Sequence, residues 1–294
     1  MAAFGTTFRP LHLSGYRTGA LDISLPDRRI ISIPTQLGCP VACTFCVSRH
    51  TPLVRSLTSA EMLTLVQLCL EASPADGRPI ELSFTGEGEA VLNFRETRVV
   101  CYRIGSLSRD FDSVRYCFSG LGASKLLQRL ESGPYRMRLQ LSLHAARQVT
   151  RDAMIPLSEP LWLVQATMRE FEAHFSSIEL NVVLQDGVND SGADLAALAA
   201  WGENRWPILL NPLLGAEVAQ IATRTDVFED YLLASGRTVK RYSRIAQNIS
   251  QLGIYPQITA ARAPKATPLV FTPNWRDDVT DVMPLDNLDI NWCK

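Results

Sequence analysis

Three cysteines, Cys39, Cys43 and Cys46, stand at CxxxCxxC spacing in the stretch Leu37-Gly38-Cys39-Pro40-Val41-Ala42-Cys43-Thr44-Phe45-Cys46. Three thiolates on one short loop can hold three irons of a 4Fe–4S cluster and leave the fourth iron without a protein ligand, whereas an electron-transfer cluster is ordinarily held by four cysteines. An incomplete set calls for an outside ligand, which is the requirement of an enzyme. A structural zinc site needs four closed ligands, and His50 is the nearby candidate for a fourth. A disulfide framework does not suit 7 cysteines in 294 residues with no signal-peptide pattern. Cys69, Cys101, Cys117 and Cys293 are scattered, and Cys69 reads as core filler in an apolar helical run.

A second chemical string, Thr85-Gly86-Glu87-Gly88-Glu89, follows the second strand-like run. Glycines admit close backbone approach to a ligand, and a carboxylate at a strand end accepts hydrogen bonds from an ammonium. Further polar groups end later strands: Cys117-Phe118-Ser119-Gly120, Ser142-Leu143-His144-Ala145 and Asn211-Pro212. A single serine in such a place is ordinarily a turn former. Their common position at one rim gives them functional weight.

The elements that position these groups alternate. Strand-like runs lie at Ile30–Pro34, Ile80–Phe84, Ser113–Phe118, Arg138–Leu143, Ile178–Leu184 and Pro207–Leu210. Helix-like runs lie at Ser59–Ala72, Phe94–Ser106, Ala123–Glu131, Leu161–His174 and Ser191–Glu203. Thr58 or Ser59 can cap the first helix and Asp190 or Ser191 the last. Six βα repeats predict a parallel sheet, and alternation alone does not separate a doubly wound sheet from a barrel. Residues 1–29 read as a short β extension with a turn around Gly15 to Gly19, 30–212 as the core and 213–252 as closing elements. Residues 253–294 read as a Pro-rich tail that either covers the barrel mouth or is partly disordered.

Hydrophobic content is 46% and net charge −1, with a pI of about 6.4. No apolar run approaches the ~20 residues that span a bilayer, so a cytoplasmic protein with no membrane partner is expected. Arginine dominates the basic residues, and Arg224, Arg237, Lys240, Arg241 and Arg244 form a local basic stretch. The overall balance gives no strong RNA-binding field.

The cysteine spacing resembles the radical S-adenosylmethionine (SAM) superfamily. The strings Gln36-Leu37-Gly38-Cys39, Arg55-Ser56-Leu57-Thr58, GEGE with Leu92-Asn93, Ser142-Leu143-His144-Ala145 with Arg151-Asp152 and Pro156, and Gln185-Asp186-Gly187-Val188-Asn189-Asp190-Ser191 resemble its RlmN/Cfr group, which methylates adenine in RNA. The resemblance runs from about Ile23 to Gly253. It implies a partial (β/α)6 TIM-like barrel with the cluster on the loop after the first strand. It also implies a 4Fe–4S cluster and SAM as cofactors, with a flavodoxin- or ferredoxin-type electron donor. Cys39, Cys43 and Cys46 then ligate the cluster. Phe45 lies near the adenine, Gly88 and Glu89 hold the SAM amino group, and Ser119, Ser142, His144 and Asn211 contact the rest of SAM.

Two departures bear on the reaction. That group carries a methyl on a C-terminal cysteine, where this chain has Ile249, and uses a second cysteine seven residues before the cluster, where this chain has Ser32. Isoleucine has no nucleophilic atom, and a serine hydroxyl is a far poorer nucleophile than a thiolate. The group's upstream acid has no counterpart in register, Asp22 being close by, and its N-terminal accessory domain reads as shortened to some 29 residues. The reading is therefore an enzyme that cleaves SAM to a 5′-deoxyadenosyl radical and abstracts hydrogen from a small-molecule or nucleoside-like substrate. An RNA- or nucleotide-modifying enzyme and a non-catalytic SAM- or cluster-binding protein are the alternatives. Glu87 is the candidate acid/base, and Cys117, Tyr116 or Tyr242 the candidate that returns a hydrogen atom.

Overall fold

A computed structural model describes residues 5–13, 15–73, 76–122, 135–185, 187–212 and 218–241. The expected helix at 123–131, Tyr242, Ile249 and the tail from 253 lie outside the described residues.

Two antiparallel strands open the chain, β1 (Gly5–Leu13) and β2 (Tyr16–Ser24). The turn between them is tighter than expected: Gly15 takes a left-handed φ of 86°, and Gly19 already pairs with Pro10 inside the ladder. β2 then pairs antiparallel with β3 (Arg29–Ile33), so the hairpin extends the edge of the main sheet. From β3 onward every neighbour is parallel: β6 (Ile80–Phe84), β7 (Phe111–Phe118), β8 (Arg136–Ser142), β9 (Ser177–Leu184), β10 (Ile208–Pro212) and a short β11 (Val239–Arg241). Neighbours in the sheet follow chain order, which is the barrel sequence and not the reversal at the centre of a doubly wound sheet.

The first, second, fourth and fifth helices described follow expected runs. The helices described are α1 (Ser59–Ala72), α2 (Phe94–Arg103), α3 (Gln148–Met154), α4 (Leu161–Phe171), α5 (Gly192–Ala200) and α6 (Val218–Ala234). Three expected helices are shorter in their α-helical part, because α2, α4 and α5 each end in a 3-10 turn. The seven-residue α3 has too short a periodic pattern to stand out in the sequence. Thr58 caps α1 in a capping box, accepting from the Glu61 N–H while Glu61 accepts from the Thr58 N–H. Arg55 grips the same Glu61 with two contacts of 2.7 and 2.8 Å.

Period-two alternation divides each central strand. In β6, Ile80, Leu82 and Phe84 are buried in the hydrophobic core, where a fully buried aliphatic side chain contributes roughly 1.5–3 kcal/mol. The alternate residues Glu81 and Ser83 are polar, and they point to the other face of the sheet, the inside of the barrel. Charge fills the floor there. Glu81 pairs with Arg115 at 2.8 Å and with Arg138, while Glu179 pairs with Lys240 at 2.7 Å and Arg138 at 3.6 Å. Asp22, near the position of the missing upstream acid, is bound to Arg29 at 2.7 and 2.8 Å.

Candidate cofactor site

The cluster loop leaves β3 and is tied at its base by a short ladder, β4 (Gln36–Leu37) against β5 (Arg55–Ser56). Gly38 makes the turn at φ 79°, and a Cβ there would stand 2.0 Å from the Pro52 carbonyl oxygen. No other residue fits that position. The Cys39 N–H donates to Thr51 O at 3.1 Å and the Thr44 N–H to Met154 O at 2.9 Å, so the loop is pinned to its own return and to α3.

All three thiols are free and half-buried. Burial pushes Cys39 up to about 12, and it raises Cys43 too, with the neighbouring Cys46 and Cys39 adding to the effect. Thiols that resist ionisation alone gain most from metal ions that take over the charge. Among the described residues no three metal-binding side chains converge on a single ion; thiols that each serve a different iron of a cube need no such convergence. The donor set and its half-buried setting fit a 4Fe–4S cluster.

The GEGE loop crosses beside this one. Gly88 sits at φ 100°, where a Cβ would meet Gln36 Cβ at 2.7 Å. Gln36 Oε1 accepts from the Glu89 N–H at 2.9 Å, and the Thr35 N–H donates to Glu87 O at 3.0 Å. Glu89 is 3% exposed. Its Oε2 accepts from the Ser119 N–H at 2.7 Å and from the Ser119 hydroxyl at 2.5 Å. Its Oε1 is buried with no hydrogen-bond partner among the described residues. Burial raises the carboxyl to about 7, against the Ser119 bonds, the nearby Val91 N–H and the Arg151 charge, which all favour the anion. A buried carboxylate oxygen awaiting a donor, beside three thiols, fits the ammonium of SAM.

Ser119 therefore acts through Glu89. Ser142 ends β8 half-buried, and its carbonyl accepts from Arg151 at 2.9 Å. His144 takes a left-handed φ of 52°. Its Nδ1 accepts from the Val183 N–H at 3.1 Å, its carbonyl accepts from Asn189 Nδ2 at 2.6 Å, and burial pushes its pKa down to about 3. The neutral ring stands edge-on to Phe45, with centroids 4.6 Å apart, and so fixes the aromatic residue of the cluster loop. Asn211 lies in β10 opposite Val183, its side chain outside the described residues.

Four residues quoted only as parts of longer strings organise the site. Gln36 holds Glu89, Asn93 Nδ2 ties Thr35 O and Leu57 O at 2.8 Å each, Asn189 holds His144, and Arg151 joins the ends of β7 and β8. The strings themselves were the signal. Composition and periodicity give none of these roles.

Cys117 and Tyr116 separate by alternation. Tyr116 is 1% exposed; its hydroxyl donates to Thr97 of α2 at 3.0 Å and its ring packs on Phe84. It faces the helix layer and cannot return hydrogen to anything in the lumen. Cys117 faces inward, 2.9 Å from Thr85 Oγ1 and donating to Gln140 Oε1 at 3.3 Å. Glu87, 5% exposed, borders a cavity of about 40 Å³ with Ser32, Thr85, Phe8, Arg17 and Thr18. The Ser32 hydroxyl donates to Thr85 O at 2.8 Å. Ser32, Glu87 and Thr85 thus meet where the hairpin joins the barrel.

No family model matches the chain. It is 30% identical over 198 residues to a probable dual-specificity RNA methyltransferase RlmN of Cytophaga hutchinsonii, covering 65% of this chain and 54% of that protein. It is 30% identical over 241 residues to a probable RNA methyltransferase of Anaeromyxobacter sp., covering 78% of this chain and 71% of the relative. The chain thus spans about half the length of the first of the curated relatives it matches. Among solved structures, a radical SAM methyltransferase from Sphaerobacter thermophilus superposes with a TM-score of 0.69 at 25% identity, covering 82% of this chain and 78% of that one. SuiB of Streptococcus suis bound to S-adenosylmethionine shares the fold at 12% identity, with a TM-score of 0.50 over 78% of this chain and 51% of that one. With the cysteine loop, the Glu89 pocket and the parallel barrel in agreement, the chain belongs to the RlmN/Cfr-like group of radical SAM enzymes.

Proposed function

We propose that this protein binds a 4Fe–4S cluster through Cys39, Cys43 and Cys46 and SAM against Glu89, and uses them to abstract hydrogen from a small-molecule or nucleoside-like substrate. The observation that carries the SAM site is the Glu89 Oε1 left without a partner beside the thiol loop. When bound, the two cofactors supply one-electron cleavage of the sulfonium and hence a 5′-deoxyadenosyl radical. The chain's own residues do the rest. Glu89 takes the amino group, held by Ser119 and Gln36. Phe45, braced by His144, forms a wall for the adenine, and Ser142 and Asn211 supply polar groups at the strand ends. Glu87, which borders the small cavity beside Ser32, serves as acid/base for the substrate.

Ser32 favours hydrogen abstraction over methyl transfer through cysteine, because a serine hydroxyl, held by Thr85 O, stands seven residues before Cys39, where the RlmN/Cfr group uses its second cysteine. The reading is tested with anaerobically reconstituted protein, dithionite and SAM. Formation of 5′-deoxyadenosine, lost in Cys46→Ala, is the expected result; purified protein that holds zinc instead of a cluster would overturn it.

A second reading keeps RNA as the substrate, on the ground that relatives are named RNA methyltransferases. It predicts RNA binding that weakens steeply with salt. Transfer of a methyl from labelled SAM to a ribosomal or transfer RNA fragment would decide for it.

A further inference from the structure

Arg151 is the largest fully buried side chain described, with 0% exposure. Its guanidinium donates to the carbonyls of Ser142, at 2.9 Å, and of Leu143 and Ser119. It thereby ties the end of β7 to the end of β8, and Gly120 leaves it room: a Cβ there would stand 2.9 Å from Arg151 Nη2. Three carbonyl dipoles take up its two terminal nitrogens, its Nε is buried with no partner among the described residues, and the Asp152 and Glu89 carboxylates act on it only through space. A buried cation with no anion in hydrogen-bond contact costs several kcal/mol, which arginine cannot avoid by losing its proton.

The place of Arg151 in the fold sets it between the cluster loop and the Glu89 pocket. One turn further along α3, Met154 O receives the Thr44 N–H, so the backbone next to Cys43 rests on the helix that carries Arg151. The Glu89 pocket lies on the other side, through Ser119, whose carbonyl Arg151 holds and whose N–H and hydroxyl hold Glu89. Burial lowers Arg151 only to about 10, leaving it charged at neutral pH, and its charge opposes the rise of Cys43.

We propose that Arg151 is the fixed positive charge that sets the reduction potential of the cluster held by Cys39, Cys43 and Cys46. The inference rests on the cluster reading above. One electron entering the cluster adds one negative charge, and a buried cation nearby stabilises that reduced form strongly where the local dielectric is low. Cluster potentials respond to net charge and hydrogen bonding in this way.

The test is a dye-mediated redox titration of the reconstituted holoprotein, followed by electron paramagnetic resonance, with iron content and circular dichroism as controls. Arg151→Gln is expected to lower the reduction equilibrium constant at least tenfold, about 59 mV for one electron, at full iron content. Arg151→Lys keeps the charge while losing the three-carbonyl grip, and is expected to keep the wild-type potential. Replacement of Arg151 by citrulline keeps the shape without the charge and stands in should the glutamine variant not fold. A folded neutral variant with the wild-type potential overturns the inference, as does a lysine variant that drops as far as the neutral ones. Wild-type protein that takes up no cluster overturns the functional reading, and this inference with it.

Discussion

At the scale of single residues, the proposed SAM site makes Glu89 the group whose protonation would govern SAM binding. Burial raises it to about 7, so the Glu89 carboxyl loses its negative charge as pH falls through 7. SAM affinity is expected to weaken below pH 7 by up to tenfold per pH unit and to level off above it, as measured by calorimetry on reconstituted protein. Glu89→Gln should remove that dependence and weaken binding about tenfold to a hundredfold, the range for a lost hydrogen bond to a charged group. For folding the sign runs the other way. A carboxyl raised in the folded state favours folding fully below its unfolded value of 4.5, a contribution lost as pH rises toward 7. Bound SAM, whose ammonium favours the anion, offsets that loss above pH 7.

At the scale of elements, two loops depend on glycine geometry. Gly38→Ala should cost about 1–3 kcal/mol for the left-handed backbone alone, and more because its Cβ would meet backbone at Pro52 and Thr51. Thermal unfolding should shift down and iron retention fall with it. Gly192→Ala is the control: nothing lies within 4 Å of its Cβ, and it begins α5, where alanine should leave stability unchanged or raise it by about 0.4–1 kcal/mol. His144 shows the same dependence on place. Its left-handed φ is held by Asn189 and by the Val183 N–H. Asn189→Ala should loosen Phe45 and weaken SAM binding with little loss of cluster, a separation read by comparing calorimetry with iron content.

For the whole molecule, the barrel floor joins strands distant in sequence through Glu81, Arg115, Arg138, Glu179 and Lys240. Glu81 is 2% exposed between two arginines, and Glu81→Ala should destabilise by about 3–5 kcal/mol, because it takes from the buried Arg115 its carboxylate at 2.8 Å, while Arg138 keeps Glu179. Glu179 is lowered by Lys240, Arg115 and Arg138 against its own burial. Its contribution is present above its unfolded value of 4.5 and is lost as pH falls through the lower folded value, so acid unfolding should steepen there. A denaturant series between pH 3 and 6 checks this, with Lys240→Met expected to flatten the dependence.

The alternation of strands and helices was legible in the sequence, since period-two and helical patterns are local, although the seven-residue α3 was not; the candidate cluster loop was legible too, since its three cysteines fall within eight residues. The sequence also carried Glu89, through a short glycine–acid string placed one βα unit after that loop. Tertiary structure alone decided that Tyr116 faces the helices and Cys117 the lumen, and that Ser119 serves Glu89. It alone brought Arg151 from α3 to two other strand ends. Those facts depend on which face of a strand meets which neighbour 19 to 32 positions away, a relation that pairing and burial create and that no local spacing encodes.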